Sequence, residues 1–345
     1  MLTLVEAKTF AMRTIILLFS VFLLHACVIK SPKHASSIGK IEVIDPELAS
    51  VLDTNARIEI IAEGHEWTEG PVWVASENKL LYSDIPQNKI FEWTEEGGSV
   101  LYLKKSGYTG SKARGGELGS NGLLLDKSGK LILCQHGDRR IARMDAEVSR
   151  PESRFISLAD NYNGKKLNSP NDACLRSNGD IFFTDPPYGL EGYVEDPSKE
   201  ISFQGVYKAS GGKTQLMTDS ITRPNGIALL NKEKTLLVAN SDPDKAKWYL
   251  FDLDNNDSLS NPRLLFDATA YVTPTSKGLP DGLKVDGNGN IFATGPGGVF
   301  IFNAAGKLLG RLLIPEACSN IALSDDGKTV FITADMYVLK MKIRP

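Results

Sequence analysis

A chain of 345 residues with 42% hydrophobic and 23% charged side chains has the composition of a globular protein able to bury a core. A net charge of −3 and the lack of any block of Lys or Arg exclude the usual electrostatic footprint of a nucleic-acid partner. The 31 glycines and 17 prolines are spread along the chain, as many short strands joined by turns require.

The first element in chain order is an export signal. Residues 12–27, MRTIILLFSVFLLHAC, set one Arg before a mostly apolar run that ends on Leu24-His25-Ala26-Cys27. The run is too short for a membrane span and fits a secretory h-region. Leu-x-Ala-Cys resembles a bacterial lipobox, which implies a lipidated Cys27 and an exported lipoprotein, periplasmic or at the cell surface, whose lipid anchor is its sole membrane contact. Glu6 and Lys8 are unlike an n-region, so either Met1 or Met12 is the start. A buried core strand or an uncleaved anchor is the bland alternative. Residues 28–55 are polar without a clear period and are expected to be a tether, leaving 56–345 as the folded domain. Cys134, Cys174 and Cys318 remain once Cys27 is set aside, an odd number with no metal-type spacing. Buried free thiols are expected, with one disulfide among them left open.

From residue 69 onward a pattern repeats. Glu69-GPVWVASENKLLYSD is followed by Asn121-GLLLDKSGKLILCQH, Asn171-DACLRSNGDIFFTD, Asn225-GIALLNKEKTLLVAN, Asp281-GLKVDGNGNIFATG and Asn320-IALSDDGKTVFITAD. Each starts on a polar residue, runs through two apolar strands joined by a polar turn, and closes on a polar or glycine position. The distance from leading to closing residue is 15, 15, 14, 15, 14 and 15, and the leading residues lie 52, 50, 54, 56 and 39 apart. Two further strand-like runs separate the repeats, for example KIFEW and SVLYL. Four antiparallel strands per unit at this period predict an all-β, six-bladed β-propeller. The last unit has room for three strands only, and RIEIIAE at 57–63 is expected to supply the fourth and close the ring. A β-sandwich is the alternative, but it predicts no constant period.

In such blades the loop entering the first strand and the loop leaving the second lie at one end. The leading residues Glu69, Asn121, Asn171, Asn225, Asp281 and Asn320 should therefore ring the channel mouth. The closing residues Asp84, His136, Asp185, Asn240, Gly295 and Asp335 should lie on the same face. Glu69, Asn171, Asn225 and Asp281 offer two carboxylates and two amide carbonyls, the oxygen donors that a hard divalent cation takes. Taken singly, each is more simply a turn cap; as a ring holding two acids, they form a candidate site.

Five motifs then carry a family resemblance. Glu-Gly-Pro-Val-Trp at 69–73, Ser-Pro-Asn-Asp at 169–172, Phe-Thr-Asp-Pro-Pro-Tyr-Gly at 183–189, Arg-Pro-Asn-Gly-Ile-Ala at 223–228 and Pro-Asp-Gly at 280–282 resemble the gluconolactonase/regucalcin family of six-bladed propellers. Cys-Gln-His-Gly-Asp-Arg-Arg at 134–140 and Tyr-Ser-Asp-Ile-Pro at 82–86 are most similar to its bacterial gluconolactonase branch. The resemblance covers nearly the whole chain after residue 56. It implies a divalent cation held by Glu69, Asn225 and Asp281, with Asn171 either completing the metal shell or holding substrate. Ca²⁺ is expected first, with Mg²⁺, Mn²⁺ and Zn²⁺ as alternatives. Serum paraoxonase and diisopropyl fluorophosphatase share this four-residue plan with calcium. Gly282 stands where paraoxonase has a further Asn, and its pair of histidines is not evident here, His136 alone lying on the ring.

The implied reaction is hydrolysis of a small-molecule lactone, with the cation as Lewis acid and Asp281 as general base for water. Attack by hydroxide held on the cation is the alternative, because a carboxylate beside a cation is a weak base. Asn121, His136, Asn171 and Asn320 are expected to contact sugar hydroxyls or the leaving alcohol, and Tyr188 to wall the pocket. The plainer readings make His136 a turn residue and Tyr188 a packing anchor. Long loops at 107–119 and 189–205 are either lids or simply exposed. An esterase or phosphotriesterase activity, or a non-catalytic binding propeller, are the competing functions.

Overall fold

The computed structural model describes residues 36–343, which form six antiparallel sheets arranged as blades. Blade one runs through Thr68–Val74, Lys79–Asp84, Lys89–Thr94 and Gly98–Lys104. Blade two uses Ser120–Leu125, Leu131–Gln135, Arg140–Met144 and Phe155–Ala159. Blade three uses Ala173–Leu175, Ile181–Asp185, Gly205–Ser210 and Lys213–Thr218. Blade four uses Pro224–Leu230, Thr235–Asp242, Lys245–Leu253 and Leu259–Asp267. Blade five uses Leu283–Val285, Ile291–Gly295, Gly298–Phe302 and Leu308–Leu313. The first strand of each blade packs on the first strand of the next, and that of blade six returns to blade one. The ring closes as expected: Glu59–Ala62 pairs with Tyr337–Lys342, with Glu59 opposite Lys340, beside Thr329–Ala334 and Cys318–Leu323.

Burial explains why the second strands read as unbroken apolar runs. KLLYSD, LILCQ and IFFTD are buried along their whole length, because each blade is covered on both faces by its neighbours. The core accordingly divides into six clusters, one per blade interface. Trp248, Phe300 and Phe302 fill the interface of blades four and five, and Phe183 stacks on Tyr207 next to Cys134 between blades two and three. Each fully buried aliphatic or aromatic side chain is worth about 1.5–3 kcal/mol, so the interfaces hold the ring together.

Residues 36–55 are packed onto the propeller and differ from the expected tether. Lys40–Val43 adds a fifth strand to blade five, paired with Leu308–Leu313. Asp45 caps the short helix Pro46–Ser50 through the Glu47 amide, and Leu48, Val51 and Leu52 are buried against Phe292, Leu312 and Ile332. The three apolar residues are spaced for one helical turn, too short a pattern to stand out from a polar stretch. Cys134, Cys174 and Cys318 are free thiols. The export signal, Cys27 and residues 28–35 lie outside the described residues.

Candidate active site

The six leading residues come together because the innermost strands converge at the axis, where main chains nearly touch. Gly70 has φ +52°, and a Cβ there would lie 1.9 Å from the Asn121 carbonyl oxygen, so only glycine fits after Glu69. At this level buried hydroxyls tie blade one to two, three to four, four to five and six to one. Ser83 Oγ donates to the Asn121 carbonyl (3.0 Å), Thr184 Oγ1 to that of Asn225 (2.7 Å), Ser241 Oγ to that of Pro280 (2.6 Å) and Ser319 Oγ to that of Thr68 (2.7 Å).

The closing residues serve the backbone. Asp185 accepts the amides of Asn168 (2.7 Å) and Ser169 (2.8 Å), Asp84 those of Glu66 and Trp67 (both 3.3 Å), and Asn240 that of Arg223 (2.8 Å). Each carboxylate or amide thus fixes the segment that enters its own blade. Burial holds the Asp185 carboxyl up at about 7, above the ordinary carboxylate range, against the lowering effect of those two amides.

The leading ring has a different character. Glu69, Asn121, Asn171 and Asn225 are each at least 97% buried. The Oδ1 atoms of Asn121, Asn171, Asn225 and Asp281 are all shut off from solvent and have no hydrogen-bond partner. Asp281 as a residue is partly exposed, so its two oxygens face different surroundings. Leaving one such atom unpaired costs about 1–3 kcal/mol, and four at one site call for an occupant that donates to them or is coordinated by them. Burial, followed by the repulsion of Glu69, holds the Asp281 carboxyl well above the usual range. Glu69 is raised likewise, first by burial, with Asp172 adding to the effect while the Gly70 amide opposes it. The donor set of two carboxylates and three amides suits a hard cation. Among the described residues no three or more His, Cys, Asp or Glu side chains are grouped so as to hold a metal ion by themselves, and the ring instead mixes acids with amides.

The expected substrate contacts divide. Asn320 sits behind the ring with its amide already spent: Nδ2 donates to Glu69 Oε2 (3.1 Å), while Oδ1 accepts the Ile321 amide (2.8 Å) and Lys284 Nζ (3.4 Å). Its place explains Gly282, since a Cβ there would lie 2.0 Å from Asn320 Cγ. Tyr188 lies beside Asp281, which together with burial raises its phenol, and its hydroxyl engages Ser241. His136 is fully buried, with Nδ1 3.3 Å from Glu117 Oε2 and Gly189 packed on its ring.

The model of the SMP-30/Gluconolactonase/LRE-like region matches residues 67–335, which span all six leading residues. The chain belongs to this family. It is 38% identical over 321 residues to the gluconolactonase of Zymomonas mobilis, covering 91% of this chain and 89% of that one. It is 26% identical over 216 residues to the lactonase drp35 of Staphylococcus epidermidis, covering 61% of this chain and 59% of the relative. Among solved structures, the gluconolactonase XC5397 of Xanthomonas campestris superposes with a TM-score of 0.76 at 28% identity, over 92% of this chain and 99% of that one. The fold is shared more widely: a calcium-binding protein, regucalcin, from Agrobacterium tumefaciens gives a TM-score of 0.63 at 15% identity, over 82% of this chain and 92% of that one.

In this gluconolactonase-family propeller the structure adds three charged residues that the sequence reading passed over. Glu117, in the 107–119 loop, reaches His136 and its charge bears on Glu69, Asp281 and Tyr188. The loop is anchored: Arg114 donates to the carbonyls of Gly137 (3.1 Å) and Gly189, and the Gly115 amide donates to Glu191 Oε1 (3.0 Å). These bonds join the 107–119 and 189–205 loops. Nothing in the local sequence marks Glu117. Asp172 and Lys284 do leave a trace, as charges one and three residues after the leading residues Asn171 and Asp281, where the sequence is otherwise turning apolar.

Proposed function

We propose that the protein is a lactonase, a hydrolase that opens a sugar lactone by attack of water on the ring carbonyl, with a divalent cation held by Glu69, Asn171, Asn225 and Asp281. The observation that carries this reading is the set of unpartnered, buried side-chain oxygens at the channel mouth of a gluconolactonase-family propeller. Gluconolactonase is the name borne by the relative that is 38% identical over nine-tenths of the chain, and by the XC5397 structure. Calcium is the first candidate for the cation, being what the regucalcin relative is described as binding, and Mg²⁺, Mn²⁺ and Zn²⁺ suit the same oxygens. When bound, the cation supplies a Lewis acid to the carbonyl oxygen.

The chain's own residues do the rest. Asp281, whose Oδ1 has no hydrogen-bond partner, serves as both ligand and general base and takes the proton of the attacking water. That proton goes to the ring oxygen as the carbonyl C–O bond breaks, which leaves an open-chain hydroxy acid. Glu69 is held in place from two sides, by the Gly70 amide (2.6 Å) and by Asn320 Nδ2, so it stays aimed at the centre. Asn121 and His136 bind sugar hydroxyls, and Tyr188 walls the side of the pocket nearest Asp281.

The deciding assay is proton release from glucono-δ-lactone by the purified protein, stripped with chelator and then given back Ca²⁺, Mg²⁺, Mn²⁺ or Zn²⁺. Turnover restored by metal and abolished in Asp281→Asn is the expected result. Full turnover by Asp281→Asn sinks the assignment of the base. No turnover with any metal, together with no bound metal, returns the binding-propeller reading to first place.

A further inference from the structure

Lys284 lies on the innermost strand of blade five, yet its ammonium is directed at blade three. Nζ donates to the Leu283 carbonyl (3.0 Å), contacts Asn320 Oδ1 (3.4 Å) and lies 3.9 Å from Asp172 Oδ2. Blades three and five are not neighbours, so the side chain crosses the central channel to make this contact. Asp172 is 98% buried, its Oδ1 accepts the Ala173 amide (2.9 Å), and its Oδ2 has no hydrogen-bond partner. The three groups around the ammonium are therefore a carboxylate, an amide carbonyl and a main-chain carbonyl. That is a donor set for a hard cation, and a lysine on a flexible stem fills it.

Charge accounting points the same way. Glu69, Asp172 and Asp281 put three carboxyl groups in one enclosed space, and among the described residues Lys284 is the only Lys or Arg within 4.0 Å of any of them. Glu117 stands at the rim, is 31% exposed and faces His136. The ammonium answers Asp172, which leaves Glu69 and Asp281 as the pair of acids that one divalent ion would balance. Resting on the cation reading above, we propose that the Lys284 ammonium is the tethered occupant of a second cation site, formed by Asp172, Asn320 and the Leu283 carbonyl, and that it limits the channel to a single divalent ion.

The experiment is calcium stoichiometry by native mass spectrometry and calorimetric titration on metal-stripped protein, comparing wild type, Lys284→Ala and Lys284→Arg. One calcium is expected for wild type and for Lys284→Arg, which keeps the charge. Two are expected for Lys284→Ala, with the first bound at least about tenfold more tightly once the like charge is gone. Lys284→Ser makes the same opening if Lys284→Ala does not fold. A single calcium in a folded Lys284→Ala or Lys284→Ser protein overturns the proposal and leaves the cation reading standing, and two in wild type do the same. No calcium in wild type sinks the cation reading, and the proposal goes with it.

Discussion

Adding one methyl group at Gly282 tests whether the acid ring is held from behind. An Ala Cβ at this position would lie 2.0 Å from Asn320 Cγ, 2.1 Å from its Oδ1 and 2.5 Å from its Nδ2. Ordinary contacts need about 3.5–4 Å, so the Asn320 amide has to move by roughly 1.5 Å. That motion breaks the bond from Nδ2 to Glu69 Oε2 and the one from the Ile321 amide to Oδ1. Overpacking costs about 1–3 kcal/mol, and a hydrogen bond to a charged group about 1.5–3 kcal/mol, so Gly282→Ala should lose roughly 3–5 kcal/mol. At about 2.1 cal/mol/K of unfolding entropy per residue, the thermal midpoint should fall by roughly 4–8 °C. Asn320→Ala breaks the same bonds but vacates the space that the new methyl needs. The double variant Gly282→Ala/Asn320→Ala should therefore be no less stable than Asn320→Ala alone, a coupling of about 3–5 kcal/mol in a double-mutant cycle. Urea unfolding with and without calcium reads it, and lactone turnover shows whether Glu69 has been released. Additivity within about 0.5 kcal/mol would refute the reasoning, because it would mean that the two residues do not share the space the geometry assigns them.

Removing the metal should expose an unusual pH dependence. In metal-free protein the carboxyls of Glu69, Asp281 and Asp185 are all held above their unfolded values of about 3.8–4.5, chiefly by burial. The sign is fixed: the stability they contribute is full below the unfolded values and is lost as pH rises through the folded ones, Asp185 at about 7. In chelator the thermal midpoint should accordingly be higher at pH 5 than at pH 8, and calcium should remove most of the difference; a midpoint that climbs with pH in chelator refutes it. Glu117→Gln should lower kcat/KM by about tenfold, the worth of one hydrogen bond to a charged group, while the thermal midpoint stays put; unchanged kinetics would return Glu117 and His136 to a packing role. Deleting every residue before Ala56 uncovers the blade-five and blade-six surface against which Leu48, Val51 and Leu52 lie, at up to roughly 5–9 kcal/mol. An unchanged thermal midpoint in that deletion would restore the tether reading for residues 36–55.

The fold was legible because a propeller repeats. The constant span between leading and closing residues, and a fourth strand left over at the N-terminus, specify six blades and their closure before any contact is known. Glu69, Asn171, Asn225 and Asp281 were legible for the same reason, since register in the repeat puts them at one height on the axis. What register cannot say is which polar group points inward and which is used up by the backbone. Asp84 and Asp185 look as chemical as Asp281 in the sequence, yet they spend their oxygens on main-chain amides. Asn320 occupies the same register as Asn225, but blade five presents it with a glycine and a lysine that draw its amide behind Glu69. Glu117 was hidden because a loop has no period, and its position depends on Arg114 reaching two carbonyls from different blades. The strand at Lys40–Val43 was hidden because an edge strand of four residues with one polar face is hard to tell from a solvated linker.

The absence of any local ligand motif follows from how the ring is assembled. An EF-hand-like loop gathers its donors within a dozen residues and can order them by itself. Here the nearest pair of the four expected ligands is separated by more than fifty residues, and each comes from a different blade. Precision must therefore come from the joints between blades, and the hydroxyl bonds supply it in one direction around the ring. Thr184 of blade three fixes the carbonyl of Asn225 in blade four, and Ser241 of blade four fixes the carbonyl that precedes Asp281 in blade five. Asn225 and Asp281 are thus set by the blade before as well as by their own. The same joints crowd like charges: Asp281 and Glu69 repel each other across the axis, and burial denies them water. A ring held this tightly cannot relax by moving its acids apart, so it must take up positive charge, by protonation or by a cation. Lys284 supplies part of that charge from within the chain, and the remainder is what makes the channel mouth a site rather than a plug.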